Sequence, residues 1–237
     1  MKTLPILITA LFASIGASSA ADEESMLIRL YEEEVLAHDL YVELGKKHPD
    51  IMPFQNIPHA EQRHTEIMAS VLEDRGISIP KPDKGSRFVS KGLDATYKKW
   101  LKEGRKSEQG ACRVGVRLED HDIADLQEAT VKLPELKDTF DHLIFCSENH
   151  LRAFHRNLVA RGGEYEVEAL TKDEYKTILA SEGSGCGGGG GCGKGCGKGQ
   201  GQGKGKGQRN GQGNGKGAGQ GRGKGGGGGG KCACEKG

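Results

Sequence analysis

The sequence predicts an all-α domain with four long helices and a short C-terminal helix, followed by a disordered tail. Apolar residues recur at helical spacing through residues 22–182, and no stretch shows the alternation typical of a half-buried strand. After residue 183 almost every other residue is glycine, with Lys, Gln, Arg and Asn between. This composition buries too little apolar surface to offset the entropy cost of ordering. We therefore expect a folded domain over residues 22–182 and a disordered Gly/Lys/Gln-rich tail over residues 183–237.

Two long helices are expected in the first half of the domain. The first extends from Glu23 to about Lys47, and its apolar face is formed by Leu27, Leu30, Tyr31, Val35, Leu36, Leu40, Tyr41 and Leu44. The second begins around Pro58 and ends near Gly76, with one apolar face formed by Ile67, Met68, Val71 and Leu72.

A long crossover is expected after the second helix, because residues 77–88 contain two prolines and a glycine. Ser90 is placed to cap a short helix in this crossover, and the third long helix follows Ser107. The fourth starts at Pro134 and ends at Gly162, and a last short helix opens at Thr171.

Residues 1–21 are typical of a cleaved secretory signal peptide. One basic residue, Lys2, precedes an apolar run too short to span a bilayer, and small residues surround Ser18 and Ala20. A retained membrane anchor is the alternative. We expect a periplasmic or secreted mature protein with no membrane span.

The tail is strongly basic, with ten Lys and Arg residues against one acid, Glu235. Its charge favours binding of polyanions, but it has no aromatic residue for base stacking, so no specific nucleic-acid binding is expected. A plain flexible linker is the alternative. Its thiols could also collect soft metal ions; they belong to Cys186, Cys192, Cys196, Cys232 and Cys234.

Two further cysteines, Cys112 and Cys146, lie in helical, partly apolar patterns. We expect both to be buried as small apolar side chains, with a disulfide between them as the alternative.

A candidate metal site follows from acidic and histidine residues on the four long helices. Glu61 and His64 are spaced i, i+3, so both can point toward one ion. The other helices offer Glu34, the pair Glu119 and Asp122, and His150. Carboxylate oxygens with imidazole nitrogens suit iron, manganese or zinc. A charged group buried in a helical core costs free energy unless it is paired or binds a metal, so a metal would explain these residues.

Four stretches carry a resemblance to known proteins: EEEVLAHDLY, FQNIPHAEQRH, LEDHDIADL and SENHLRAF. They resemble the ferritin-like superfamily, and especially a bacterial and archaeal group described as a ferritin-like domain of unknown function. The resemblance covers roughly Met26 to Leu179 and implies a ferritin-like four-helix bundle. Such bundles commonly pair, so a homodimer is also expected.

The rubrerythrin-like pattern implies five metal ligands in this chain: Glu34, Glu61, His64, Glu119 and His150. The chain departs from that pattern at Ser147, where a glutamate is expected three residues before the last histidine. Asp122, one turn after Glu119, is the candidate to replace this carboxylate. A dinuclear iron centre is the first expectation, with manganese or zinc as other metals, and a single ion or no ion as alternatives.

Other acids and histidines are expected to face solvent. We expect this of Glu32 and Glu33, although a shift of register would let one of them replace Glu34. His121 and Asp125 are expected on the face of the third helix opposite Asp122.

The sequence thus favours an exported metal-binding protein, a non-haem di-iron or manganese oxidoreductase acting with oxygen or peroxide. One alternative is a non-catalytic protein that binds or buffers metal. The other is a structural, envelope-associated protein whose bundle holds no metal.

Overall fold

The computed structural model describes residues 20–181. The predicted signal peptide and the predicted tail lie almost wholly outside these residues. Within them the fold is all-α, without a strand, as the sequence predicts. Its helices are α1 Ala20–Lys47, α2 Pro53–Asn56, α3 Pro58–Asp74, α4 Leu93–Gly104, α5 Glu108–Lys132, α6 Lys137–Ala160 and α7 Lys172–Ala180.

The predicted helices all form, with three local differences. The prediction that Ser90 caps the crossover helix is wrong, because α4 begins at Leu93 and the residue at its N-cap is Gly92, without a side-chain cap. The short helix α2 was not expected. It begins at Pro53, a favoured position for proline because the first residues of a helix do not use their N–H groups for hydrogen bonds within the helix. Pro134 begins a single 3-10 turn, Pro134–Leu136, and α6 itself begins at Lys137.

The predicted caps explain where several helices begin and end. The Ser107 hydroxyl accepts a hydrogen bond from the Gly110 amide at 3.0 Å, which satisfies one free donor at the start of α5. Thr171 forms a capping box with Glu174 at the start of α7. Gly76 adopts a φ of 69° just after α3, and the Ile77 amide then reaches back to the Leu72 carbonyl at 2.8 Å. This Schellman motif requires the left-handed conformation that glycine adopts most readily.

The long helices pack as two neighbouring pairs, α1 with α3 and α5 with α6. Two apolar clusters show their directions. The first cluster contains the later residues of α1 and α6, the earlier residues of α5, and Phe54 and Ile57 just before α3. The second contains the opposite ends of α1, α5 and α6 and the later residues of α3. Each pair is therefore antiparallel, and each helix passes from one apolar cluster to the other.

An aromatic contact in the first cluster joins α1, α2 and α6. The rings of Tyr41, Phe54 and Phe154 lie with centroids 4.9–5.8 Å apart. A Cβ atom at Gly115 would lie 2.5 Å from the Phe154 ring, closer than atoms can pack. Glycine at this position therefore lets Phe154 fill the space beside α5.

Two buried acids fasten connecting segments to the helices. The Asp120 carboxylate accepts hydrogen bonds from the Tyr165 hydroxyl at 2.6 Å and from three successive backbone amides, those of Glu168, Ala169 and Leu170, at 2.8–3.0 Å. The Glu32 carboxylate accepts from the backbone amides of Val89 and Ser90 at 2.6 and 2.7 Å. The prediction that Glu32 faces solvent is wrong, because these amides of the crossover need a buried acceptor.

Cys112 and Cys146 are both buried, as expected, and no disulfide joins them. Among the described helices, none combines the length and the apolar character that crossing a membrane would require.

Replacing Asp120 by alanine should lower the free energy of unfolding by about 3 kcal/mol, because several donors lose a charged, buried acceptor. Urea unfolding followed by circular dichroism, with EDTA present to remove metal effects, measures this change. The control is Asp74→Ala at the exposed end of α3, which should change the same quantity by less than about 0.5 kcal/mol. Equal stability of the two variants would contradict the role assigned to Asp120.

Candidate metal centre

Five of the six predicted ligands lie together between the two apolar clusters. Each of the four long helices contributes, and each of the five side chains is buried: Glu34 from α1, Glu61 and His64 from α3, Glu119 from α5 and His150 from α6. The polar residues form one layer across the helices, with apolar side chains above and below. The layer is consequently shielded from water on both sides.

The five residues form two groups of three that share Glu61. One group is Glu34, Glu61 and His64, and the other is Glu61, Glu119 and His150. In each group the three residues each offer one nitrogen or oxygen atom that could bind a metal, and these three atoms lie within 4.8 Å of one another. Glu61 Oε2 lies 2.9 Å from His64 Nδ1, and Glu61 Oε1 lies 2.9 Å from His150 Nδ1. One carboxylate thus presents a separate oxygen to each group.

The outer carboxylates complete a nearly symmetrical arrangement. Glu34 Oε2 lies 3.4 Å from His64 Nδ1, and Glu119 Oε2 lies 3.6 Å from His150 Nδ1. The two imidazole rings face each other with centroids 5.5 Å apart. The Nδ1 atom of each histidine therefore lies near both the shared carboxylate and a second carboxylate.

The facing atoms are close, but they do not form hydrogen bonds. Nδ1 of His64, Nδ1 of His150 and Oε1 of Glu61 are buried and have no hydrogen-bond partner within the part of the chain that the structure describes. Buried polar atoms without partners are rare because each costs free energy. Imidazole nitrogens and carboxylate oxygens that converge in this way are the donor set of an iron, manganese or zinc ion, so these residues fit a metal.

The electrostatics show strong competition between burial and neighbouring charge. Burial alone would raise the pKa of Glu61, but the facing histidines His150 and His64 outweigh it and lower that pKa below its usual range. Burial lowers the pKa of His150, but the carboxylates of Glu61 and Glu119 outweigh it and raise the pKa to about 10. Burial raises the pKa of Glu119 to about 7. Metal-free protein therefore retains protons on this layer at neutral pH.

Asp122 lies beside the five residues but outside both groups of three. It is buried next to the Ser147 hydroxyl, and its pKa is raised well above the usual value by burial and by the nearby charges of Glu34 and Glu119. Its role as a ligand stays a prediction. Ser147, at the position where the rubrerythrin-like pattern expects a glutamate, is also buried.

Two further residues support the layer and were not predicted as part of it. The Tyr41 hydroxyl donates a hydrogen bond of 2.6 Å to Glu119 Oε1, and burial raises the pKa of Tyr41. The Cys146 thiol contacts the His64 ring. A sequence signal existed for Tyr41, because it follows Glu34 by two helical turns and so lies on the same face of α1.

The expectation that His121 and Asp125 lie opposite Asp122 is wrong. All three line a single cavity between α1, α4 and α5, together with Glu33. Burial, then the charge of Asp125, raises the pKa of Glu33 to about 8. The helix α4 covers this side of α5, which the pattern of α5 by itself does not show.

Comparison with known proteins gives one family and one relative. A family model described as "Uncharacterized protein domain (DUF2202)" matches residues 23–182. The chain is 37% identical over 163 residues to the uncharacterized protein MJ0754 of Methanocaldococcus jannaschii. The aligned segment covers 68% of this chain and 88% of that protein. The crystal structure of hypothetical protein MJ0754 is similar to this fold, with a TM-score of 0.64 at 33% identity, over 76% of this chain and 99% of that chain. The matched segment coincides with the helical domain that carries the candidate centre.

In EDTA, the free energy of unfolding should fall by about 2 kcal/mol or more between about pH 6.5 and 9. The raised pKa of His150 stabilises the fold fully below the ordinary value of 6.5, and this contribution is lost as the pH approaches about 10. The raised pKa of Glu119 acts in the same direction up to about pH 7. Urea unfolding at several pH values measures the effect.

The variant His150→Gln should lose much of this pH dependence, because the glutamine side chain does not titrate in this pH range. His142→Gln, at an exposed position of the same helix, is the matched control and should retain it. Stability that rises between pH 6.5 and 9 in the unmodified protein would show that the layer is not protonated as described.

Proposed function

The chain belongs to the DUF2202 family of uncharacterized protein domains, and we propose that it is a ferritin-like, dinuclear metalloprotein with oxidoreductase activity toward oxygen or peroxide. The observation that carries the proposal is the shared carboxylate of Glu61, which presents one oxygen to each of two ligand groups. A single-ion site has no need for a second histidine and a second carboxylate beyond that shared group.

The helix arrangement supports a ferritin-like four-helix bundle. The four long helices form two antiparallel pairs, and the segment from residue 75 to residue 107 connects the pairs and contains α4. Two hairpins joined by one long crossover are the connectivity of ferritin-like folds. The Glu-x-x-His spacing of Glu61 and His64 on an inner face is the arrangement that such bundles use for dinuclear sites.

The charge of the ligand set supports two divalent ions. With their protons displaced by bound metal, Glu34, Glu61 and Glu119 would provide three negative charges, and Asp122 beside them would provide a fourth. Four carboxylates balance two divalent cations, which would otherwise be too costly to hold in a buried layer. Oxygen and imidazole donors suit iron first, with manganese or zinc as other metals of the same class.

Bound iron or manganese would supply redox chemistry and an open coordination position for an oxidant. The protein's own residues do the rest. Tyr41 holds the orientation of Glu119 through its hydrogen bond. The apolar clusters on either side keep water away from the layer, which strengthens its electrostatic interactions.

Full-length protein, purified without added metal and then supplied with ferrous iron, should bind about two more ions per chain than the variant Glu61→Ala/His64→Ala. It should also oxidise ferrous iron or consume peroxide at least about tenfold faster than the same amount of iron in solution. Elemental analysis gives the metal content, and absorbance or oxygen uptake gives the turnover. The full-length chain is used for both proteins, so metal held by the tail cysteines cancels in the comparison.

The matched control is Gln62→Ala/Glu66→Ala, which removes an exposed hydrogen-bonded pair from the same helix. This control should keep both metal content and turnover. Two ions per chain without turnover would favour a protein that binds or buffers metal. Equal metal content in the wild type and the Glu61→Ala/His64→Ala variant would contradict a metal centre at these residues.

We also propose that the protein is exported, on the basis of the charged, apolar and small-residue segments of its first 21 residues. In the native host, the intact mass of the protein should lack the residues before Ala21 or Asp22, and the protein should be found outside the cytoplasm. A protein that retains Met1 and fractionates with the cytoplasm would contradict export.

A further inference from the structure

A cavity of about 190 Å³ lies beside the candidate centre, between α1, α4 and α5. Each helix contributes residues at helical spacing, so one face of each helix forms one wall. The lining residues are Arg29, Glu33 and Leu36 from α1, Leu93, Thr96 and Trp100 from α4, and Leu118, His121, Asp122 and Asp125 from α5. None of these residues except Asp122 belongs to the predicted ligand set, so most of the cavity is separate from the centre.

The polar side of the cavity is rich in carboxyl groups. Glu33, Asp122 and Asp125 place three carboxyl groups in the wall against one guanidinium, that of Arg29. Arg29 is already engaged, because its Nη2 lies 2.8 Å from Glu33 Oε1. The other oxygen, Glu33 Oε2, is buried and has no hydrogen-bond partner among the residues described here. A buried acceptor without a donor beside a cavity favours a ligand that brings a donor or a positive charge.

The other side of the cavity is apolar and can hold a flat group. Leu36, Leu93 and Leu118 supply aliphatic surface, and the Trp100 ring lies with its centroid 6.0 Å from that of His121. An apolar cavity of about 150 Å³ accommodates benzene, so this volume has room for a six-membered ring with a short polar arm. A hydrated metal ion would leave these apolar walls without a contact.

We propose that this cavity binds a small organic cation, with an apolar ring or chain against Trp100 and the leucines and a protonated nitrogen facing Glu33 and Asp125. Aromatic rings also attract cations directly, which favours the same class of ligand. Asp122 lies in the cavity wall and beside Glu34 and Glu119 of the centre. A molecule in the cavity is therefore separated from the metal-ligand layer by one carboxyl group.

The inference goes beyond the proposed function, because binding in the cavity does not require a metal in the centre. The test is done in EDTA on the full-length, metal-free protein, so a failed metal centre and a failed cavity are distinguishable. Trp100 is the only tryptophan of the chain, so its fluorescence reports on the cavity alone.

Titration with benzylammonium at neutral pH should produce a saturable change in Trp100 emission. Benzyl alcohol, which has the same ring without the charge, should bind at least about tenfold more weakly, because it lacks a cation for the carboxylates. Glu33→Gln/Asp125→Asn should weaken benzylammonium binding by about tenfold or more for the same reason. Thr96→Leu, which fills the cavity and keeps all its charges, should also weaken binding.

The matched control is Glu24→Gln/Glu73→Gln, which removes two negative charges from exposed positions on α1 and α3 and should leave binding unchanged. Circular dichroism of each variant confirms that it is folded. Equal binding of benzyl alcohol and benzylammonium, or unchanged binding in Glu33→Gln/Asp125→Asn, would overturn the proposal. A titration with benzylammonium that gives no saturable change in emission would overturn it as well.

Discussion

The carboxylate of Glu61 has to remain charged in a layer from which water is excluded, and the arrangement around it follows from that requirement. A buried carboxylate costs several kcal/mol unless positive charge or a metal compensates it. His64 and His150 lie 2.9 Å from its two oxygens, and each histidine in turn faces a second carboxylate, Glu34 or Glu119. One partner, His64, comes from α3 itself and the others come from α1, α5 and α6, so compensating the Glu61 side chain involves all four long helices.

Three successive glutamates of α1 show how one helix serves three environments. Successive residues of an α-helix point about 100° apart, so neighbours cannot share a surface. Glu32 accepts hydrogen bonds from the crossover, Glu33 lies in the wall of the cavity, and Glu34 belongs to the candidate centre. The same turn of α1 therefore connects the path of the crossover, the cavity and the metal-ligand layer.

The crossover contributes to the cavity as well as to the chain path. Glu32 holds its backbone at Val89 and Ser90, and α4 follows a few residues later with Leu93, Thr96 and Trp100 turned toward α1 and α5. On the other side of α5, Asp120 fastens the segment that precedes α7. Buried acids thus have two uses in this protein: two of them order connecting segments through backbone amides, and the central group provides the proposed ligands.

The helices, most of their caps and the helically spaced residues of the candidate centre follow from the amino-acid sequence alone. Apolar periodicity predicted the four long helices, and the i, i+3 spacing of Glu61 and His64 placed both on one face. Periodicity gives the direction of a side chain around its own helix but not the element that packs against it. For that reason Glu32 and Asp125 were expected in solvent, and only the position of the crossover decided that one binds backbone amides and the other lines a cavity. The pairing of Glu61 with two histidines likewise depends on the depth at which α3 and α6 pack, a distance that only the tertiary structure determines.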